Sequence, residues 1–273
     1  MSPPADVHLP DFDQAAADFD RFLPLIHPVG LALLEHLPHP AAAALVLDVA
    51  CGSGEPGLTL ARREPEIRLL GVDSAAAMIA VARAKAAREG LANARFEVMP
   101  FETLALADES VDILISRFGC MMFGDVPASA RELTRVLRVG GHFSLAVWDD
   151  PAKNTLVSAL FTVLRDYLPP EQFLAFDRLA EWAAPLVRTR LLQDAGLTVV
   201  RSAMFSWEYE FASFEDAWTL VSLPGMFARM FSGLAAETQQ KIKLQLQASL
   251  AAYRQESGPY RIPHACRLIW GQR

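Results

Sequence analysis

The residues best suited to chemistry lie in two short stretches. In LVLDVACGSGEPG, Leu45 to Gly57, an apolar run over 44–49 reads as a buried strand that carries Asp48. The run ends in a turn whose Gly52, Gly54 and Gly57 are spaced G-x-G-x-x-G, and a helix opens after it. In LLGVDS a second apolar strand, 67–72, ends at Asp73, 19 residues past Gly54. Strand, glycine turn, helix, strand and acid make the layout of a nucleoside site in an open α/β sheet. Turn backbone lies close to the ligand, and the carboxylate accepts from ribose hydroxyls. A dinucleotide site would use such a turn to bring a pyrophosphate to a helix N-terminus. Here Asp48 and Glu55 flank the turn and would repel a pyrophosphate. They suit a cationic ligand carrying an ammonium and a sulfonium. Two structural readings compete: Asp73 as a helix N-cap, and Glu55 as an acid in the first turn of its own helix. The strand end and the spacing favour the ribose for Asp73. The helix dipole favours the structural role for Glu55.

The segment Asp48-Val-Ala50-Cys-Gly52-Ser-Gly54 resembles the first motif of the class I S-adenosylmethionine (SAM) methyltransferases, usually D-x-G-x-G-x-G, with Ala50 replacing the first glycine. The resemblance covers most of the chain. DSAAAMIAVARAK places Met78 where the family often has a residue near the adenine. Pro100-Phe101-Glu102 stand where Asp-Ala-Glu is usual, so the acid that would accept from the adenine amino group is missing. ARELTRVLRVGGHFSLAVW matches the family's helix, turn and fifth strand, with Val139 in place of the usual proline. Ser116-Arg117-Phe118-Gly119, Met121-Met122-Phe123 and DDPAKN are similar to the ubiquinone-biosynthesis-type branch and its bacterial small-molecule relatives.

This resemblance implies a fold, a cofactor and a site. The fold is α/β, a doubly wound seven-stranded, mostly parallel sheet with one antiparallel strand, plus a helical cap. The cofactor is SAM. Asp48 orders the turn and accepts from the methionine ammonium, together with the carbonyls of Ala50 and Gly52. Gly54 allows close approach, and Asp73 takes both ribose hydroxyls. Ser74 and Met78 border the adenine on one side, Phe101 and Glu102 on the other, and Ser116 and Phe118 lie next to the methionine portion. The implied activity is methyl transfer to O, N or C of a small, largely apolar or aromatic metabolite. The alternatives are a SAM-fold enzyme that transfers no methyl, such as a cyclase or one consuming the aminobutyl arm, and a non-catalytic SAM-binding protein. No Asn/Asp-Pro-Pro-Tyr/Phe tetrapeptide follows the fourth strand, and Cys120 is not preceded by proline, so two DNA-methylating signatures are absent.

These residues need elements to hold them. Residues 11–22 and 24–37 are apolar at helical spacing, broken by Pro24 and Pro28. After them the pattern predicts strand 44–49, helix 55–63, strand 67–72, helix 75–89, strands 94–98 and 111–116, helix 125–138 and strand 141–148. Alternating strands and helices imply a parallel sheet covered on both faces. Asp48, Asp73, Ser116 and Trp148 then fall at carboxyl ends of strands, the edge where a ligand sits. Helix 185–194, strand 197–206, a strand-like WEYEF, helix 235–254 and a last strand at about 260–270 complete the chain. The domains read as N-terminal cap helices (1–43), SAM-binding core (44–150), substrate-cap insertion (151–184) and completion of the sheet (185–273), with cap helices at about 212–234. The cap segments carry Phe161, Phe173, Phe176, Trp182, Phe211, Phe214, Trp218, Met226, Phe227, Met230 and Phe231. Such a lining suits a small hydrophobic acceptor, although each ring taken singly is better explained by core packing. Trp148, Met122, Trp182 and Trp218 are the substrate candidates.

Transfer from an activated sulfonium needs alignment and water exclusion more than a catalytic group. Where a base helps, His27 and Asp149 are the candidates. His142 and His264 read as structural, and Asp149 could instead cap the helix near Asn154. A buried Arg117 must pair, with a core acid such as Asp112 or with an anionic part of the substrate. Cys51 reads as packing.

Composition narrows the function classes. At 273 residues and 52% hydrophobic the chain is long enough for a sizeable core. The formal charge of −7 and the absence of a basic tract argue against a nucleic-acid partner. No apolar run approaches about 18 residues, so no membrane span is expected. Cys51, Cys120 and Cys266 have no metal or disulfide spacing, and no metal is expected. Together with an N-terminus lacking a secretory pattern, this predicts a cytoplasmic protein with a small-molecule partner. A homodimer is compatible with the sequence.

Overall fold

The structure is a computed structural model that describes residues 11–122, 126–174, 185–222, 227–256 and 258–273. Seven strands form one sheet in the order β3-β2-β1-β4-β5-β7-β6. They are β1 (Leu45–Val49), β2 (Arg68–Asp73), β3 (Ala94–Val98), β4 (Val111–Arg117), β5 (Leu137–Trp148), β6 (Thr198–Phe211) and β7 (Tyr260–Gln272). Strand β7 is antiparallel to both its neighbours, and every other pairing is parallel. This is the expected seven-stranded, mostly parallel sheet. Strand order reverses between β1 and β4, which opens a crevice at their carboxyl ends. The central strands are buried on both faces, so they read as near-continuous apolar runs such as Val46, Leu47 and Val49.

The helices are α1 (Phe12–Ala15), α2 (Leu23–Glu35), α3 (Gly57–Arg63), α4 (Ala76–Glu89), α5 (Val126–Val136), α6 (Thr155–Leu164), α7 (Pro185–Asp194), α8 (Phe214–Ser222), α9 (Ala228–Phe231) and α10 (Ala236–Ser249). Three expectations are corrected. The prolines do not break the second helix, because Pro24 lies in the first turn, where no N–H is needed. Pro28 is carried inside it, where Trp207 Nε1 donates to the Leu25 carbonyl (2.8 Å) and Arg117 donates to that of Ile26 (3.3 Å). Strand β5 begins at Leu137 rather than 141, since Leu137 already pairs with Val111. WEYEF is continuous with β6, because β7 pairs with it as far as Phe211–Tyr260. Residue pair Trp148–Cys266 closes the β5–β7 ladder, so the β6–β7 ribbon runs on past the carboxyl edge of the parallel strands.

Candidate functional site

The glycine-rich turn is built from four small residues with different tasks. Ala50 and Gly52 both adopt left-handed backbone, with φ of +53° each. Gly52 does so freely, and only Phe19 would approach a Cβ there, at 3.6 Å. At Gly54 a Cβ would meet Leu58 at 2.8 Å and Ala82 at 3.2 Å, so the glycine seats the turn on the helices behind it. At Gly57 a Cβ would collide with Asp48 Oδ2 at 2.7 Å. The bare backbone instead donates its N–H to that oxygen at 3.0 Å.

Asp48 is fully buried, so it orders the turn from beneath and presents no surface to a ligand. Its Oδ1 has no hydrogen-bond partner among the described residues. Burial pushes the carboxyl up to about 8, against the opposing charge of the buried Arg117. Arg117 is not paired with Asp112. Residues five apart on a strand face opposite sides, and Asp112 binds Arg138 (2.7 Å) and the Leu45 N–H (2.8 Å). Arg117 donates to the carbonyls of Glu55 (2.8 Å) and Ile26 (3.3 Å), tying the turn to α2.

Asp73 ends β2 beside the turn. Its Oδ2 accepts from the Gly52 N–H at 2.8 Å and its Oδ1 from the Ala75 N–H at 2.9 Å. Burial raises its pKa, and the backbone N–H groups of Ala75, Gly52 and Ser74 oppose the rise. A carboxylate has about four lone-pair sites, so these N–H bonds leave it capacity for a further donor. Ser116 is buried and donates to the Val49 carbonyl at 2.8 Å, joining the ends of β4 and β1. Phe118 follows in left-handed backbone (φ +66°), and its ring stacks on Trp148 at 4.0 Å and 4°. Phe101 is buried, Glu102 half-buried and Ser74 exposed. Met78 is buried in a cluster with Ala15, Ala16 and Ala75, flanked by Phe12 and Phe19 of the N-terminal segment. Cys51 is buried and its thiol is pushed up by that burial, consistent with packing.

The N-terminal segment lies over the turn and is held there by polar contacts that sequence reasoning missed. Lys85 Nζ contacts Asp20 Oδ1 at 2.6 Å and both the carbonyl and the hydroxyl of Ser53 at 3.1 Å. The Ala77 N–H donates to Asp13 at 2.8 Å.

The remaining candidates are less central. Asp149 is buried and ion-paired with Arg267 at 2.9 Å and Lys153 at 3.5 Å. Asp150, not Asp149, caps the next turn by accepting from the Ala152 N–H. His27 is exposed on α2. His142 contacts Gln272 at 3.1 Å, away from the site. Trp148 is half-buried between Phe118 and Trp207, whereas Trp218 packs edge-on against Phe231 (5.5 Å) among the outer helices. Trp182, Phe176 and Met226, and the side chain of Met122, lie outside the described residues. Phe173, Phe214, Phe227 and Phe231 are buried in the hydrophobic core. The aromatic wall at the sheet edge comes instead from Phe205, Trp207, Tyr209 and Phe211 of β6. Their signal is legible: aromatic residues at every second position of F-S-W-E-Y-E-F.

Among the described residues no cluster of His, Cys, Asp and Glu is arranged to hold a metal ion, and no helix is long and apolar enough to cross a membrane.

A family profile described as a methyltransferase domain matches residues 46–141. An uncharacterised methyltransferase, YcgJ of Bacillus subtilis, is 33% identical over 142 residues, 51% of this chain and 53% of the relative. The ubiquinone/menaquinone biosynthesis C-methyltransferase UbiE of Rubrivivax gelatinosus is 29% identical over 63% of this chain and 64% of its own. The chain spans about half the length of the first curated relatives it matches. The crystal structure of YcgJ superposes with a TM-score of 0.59 at 22% identity, covering 90% of this chain and 98% of that one. Phosphoethanolamine N-methyltransferase 2 of Haemonchus contortus, solved with S-adenosylhomocysteine, gives 0.60 at 12% identity over 94% and 57%. Residues 46–141 therefore match a methyltransferase domain, and the sheet order and these likenesses show that the chain has the Rossmann-like fold of S-adenosylmethionine methyltransferases.

Proposed function

We propose that the protein transfers a methyl group from SAM to a small, largely apolar or aromatic metabolite. The observation that carries this reading is the Asp73 carboxylate at the end of β2, held by the N–H of Gly52 in the turn that follows β1, the strand bordering the point where strand order reverses. The residues fit the cofactor. Gly52 leaves its face open except for Phe19, and the Ala50 and Gly52 carbonyls are the acceptors assigned to the methionine ammonium. Asp73 takes the ribose hydroxyls, Met78 and Phe101 flank the adenine, and Ser116 and Phe118 border the methionine arm. Bound SAM supplies an electrophilic methyl on a sulfonium. The chain's part is to orient the acceptor and exclude water. Phe118, stacked on Trp148, serves the second task at the end of β4. Asp149 is withdrawn as a base by its two cationic partners. His27, exposed on α2, would contact the acceptor only where it reaches over the edge.

The departure at Ala50 gives no support to a reading without methyl transfer, because the turn takes the left-handed conformation with alanine in place.

Calorimetric titration with SAM tests the site. Asp73→Ala should weaken binding by about 2 kcal/mol, the scale of charged hydrogen bonds lost. Wild-type protein without SAM affinity would end the reading. Turnover that yields methylthioadenosine in place of S-adenosylhomocysteine would replace it with the aminobutyl-consuming reaction.

A further inference from the structure

The four rings of β6 stand on one face, with successive centroids 5.9, 5.9 and 6.1 Å apart. The chain of rings continues at both ends. Tyr209 meets Phe22 edge-on at 6.2 Å, Phe22 meets Phe19 at 6.2 Å, and Phe19 lies over Gly52. In the other direction Trp207 meets Trp148 at 5.9 Å, and Trp148 stacks on Phe118. An aromatic wall therefore runs from the glycine-rich turn to the end of β4.

Two polar atoms interrupt this wall. The Tyr209 hydroxyl and His264 Nε2 are buried and have no hydrogen-bond partner among the described residues. Their residues are 2% and 1% exposed, and the two rings stack at 3.7 Å and 22°. Buried polar atoms are normally paired, so two orphans side by side in an apolar wall call for a partner. The tautomer of His264 follows from its surroundings. Nδ1 lies 3.0 Å from the Ile262 carbonyl, which can only accept, so Nδ1 carries the hydrogen and Nε2 offers a lone pair. Burial lowers the imidazole to about 4, which keeps that lone pair free at neutral pH. The pair thus presents one O–H donor and one nitrogen acceptor.

We propose that Tyr209 and His264 form a hydroxyl-recognition site for an aromatic acceptor, Tyr209 donating to the acceptor's hydroxyl oxygen and His264 Nε2 accepting its hydrogen. A carboxylate has no hydrogen for Nε2. An ammonium would lie within the field of Arg117, whose charge reaches Tyr209. The acceptor enters beneath Phe22, whose edge covers Tyr209 in this structure. The assignment rests on the methyltransferase reading and deepens it by naming the acceptor group and the residues that select it.

Calorimetry on the full chain saturated with S-adenosylhomocysteine tests this, with 2-naphthol and naphthalene as probes. Wild type should bind 2-naphthol about tenfold more tightly than naphthalene, the scale of one or two buried hydrogen bonds. Tyr209→Phe and His264→Phe should each remove most of that preference and leave naphthalene affinity unchanged, which a merely structural role would not do. Equal affinity of wild type for both probes, binding of neither, or an unchanged preference in Tyr209→Phe would overturn the proposal. The wild-type comparison stands even where a variant does not fold. SAM affinity measured on the same samples separates the two failures. Its absence ends the methyltransferase reading, whereas intact SAM binding without hydroxyl preference ends this inference alone.

Discussion

The Ala50 methyl group occupies the space that a side chain at Gly119 would need: a Cβ at 119 would stand 2.2 Å from the Ala50 Cβ. The alanine in the turn and the glycine after β4 are therefore complementary, across the junction of two parallel strands. Gly119→Ala should destabilise by about 1–3 kcal/mol, the cost of overpacking. Ala50→Gly alone should change stability by less, because relief of left-handed strain is offset by added chain entropy. The two together should recover part of the loss, a coupling of at least about 1 kcal/mol in urea unfolding. Additive effects would show that the contact is relieved some other way.

Asp48 should make stability fall with rising pH. Its carboxyl moves from 3.8 in the unfolded chain to about 8 in the fold. Between those values the folded state holds the proton that the unfolded state has released, so unfolding becomes easier as pH climbs. Arg117, lowered to about 10 by burial, is protonated in both states over this range and adds no slope. Asp73 is also raised, so the wild-type profile contains both groups. The difference between wild type and Asp48→Asn isolates the first. The variant should gain on wild type from pH 4 to pH 8, and parallel unfolding profiles would refute the assignment.

Asp149→Asn should report structure and not catalysis. The change leaves Arg267, with an 18% exposed side chain, without its anion. Breaking such a pair costs on the order of 3 kcal/mol. A drop in thermal midpoint with SAM affinity preserved at low temperature is the expected result. A folded, fully stable variant that has lost turnover would instead restore Asp149 as a base.

Lys85→Met should loosen the N-terminal segment. The ammonium is nearly buried but Asp20 is 44% exposed, so solvent screens the pair and the loss should be about 1 kcal/mol. Limited proteolysis should cleave within residues 11–22 faster than in wild type, and SAM should dissociate faster. Unchanged cleavage would mean that apolar contacts of Phe12 and Phe19 hold the segment without the latch.

Much of the core was legible because buried parallel strands and amphipathic helices leave periodic patterns in the chain. The strands ending at Val49, Asp73 and Arg117 fall within a residue of where alternation and apolar runs put them. Asp73 could be picked out because a strand end and a fixed distance from the turn are both readable in the chain, and the structure places it at the end of β2 beside that turn. The β6 stripe was legible too, since period-two aromatics state which residues share a face, but not what that face meets.

What the sequence alone determined is therefore local: element type, the glycine-rich turn, the acid that ends β2 and the resemblance they carry. Tertiary structure decided the partners. Arg117 turned to the carbonyls of Glu55 and Ile26 because a strand's alternation puts Asp112 on the other face. Asp149 went to Arg267, more than a hundred residues away, because β5 and β7 run side by side. Gly119 proved to be the counterpart of Ala50, and Tyr209 came to lie on His264, only once the sheet had closed. The reason is physical. Periodicity is a property of one segment, whereas ion pairs, close approaches and orphaned polar atoms depend on the register between segments, which is set by packing the whole core at once.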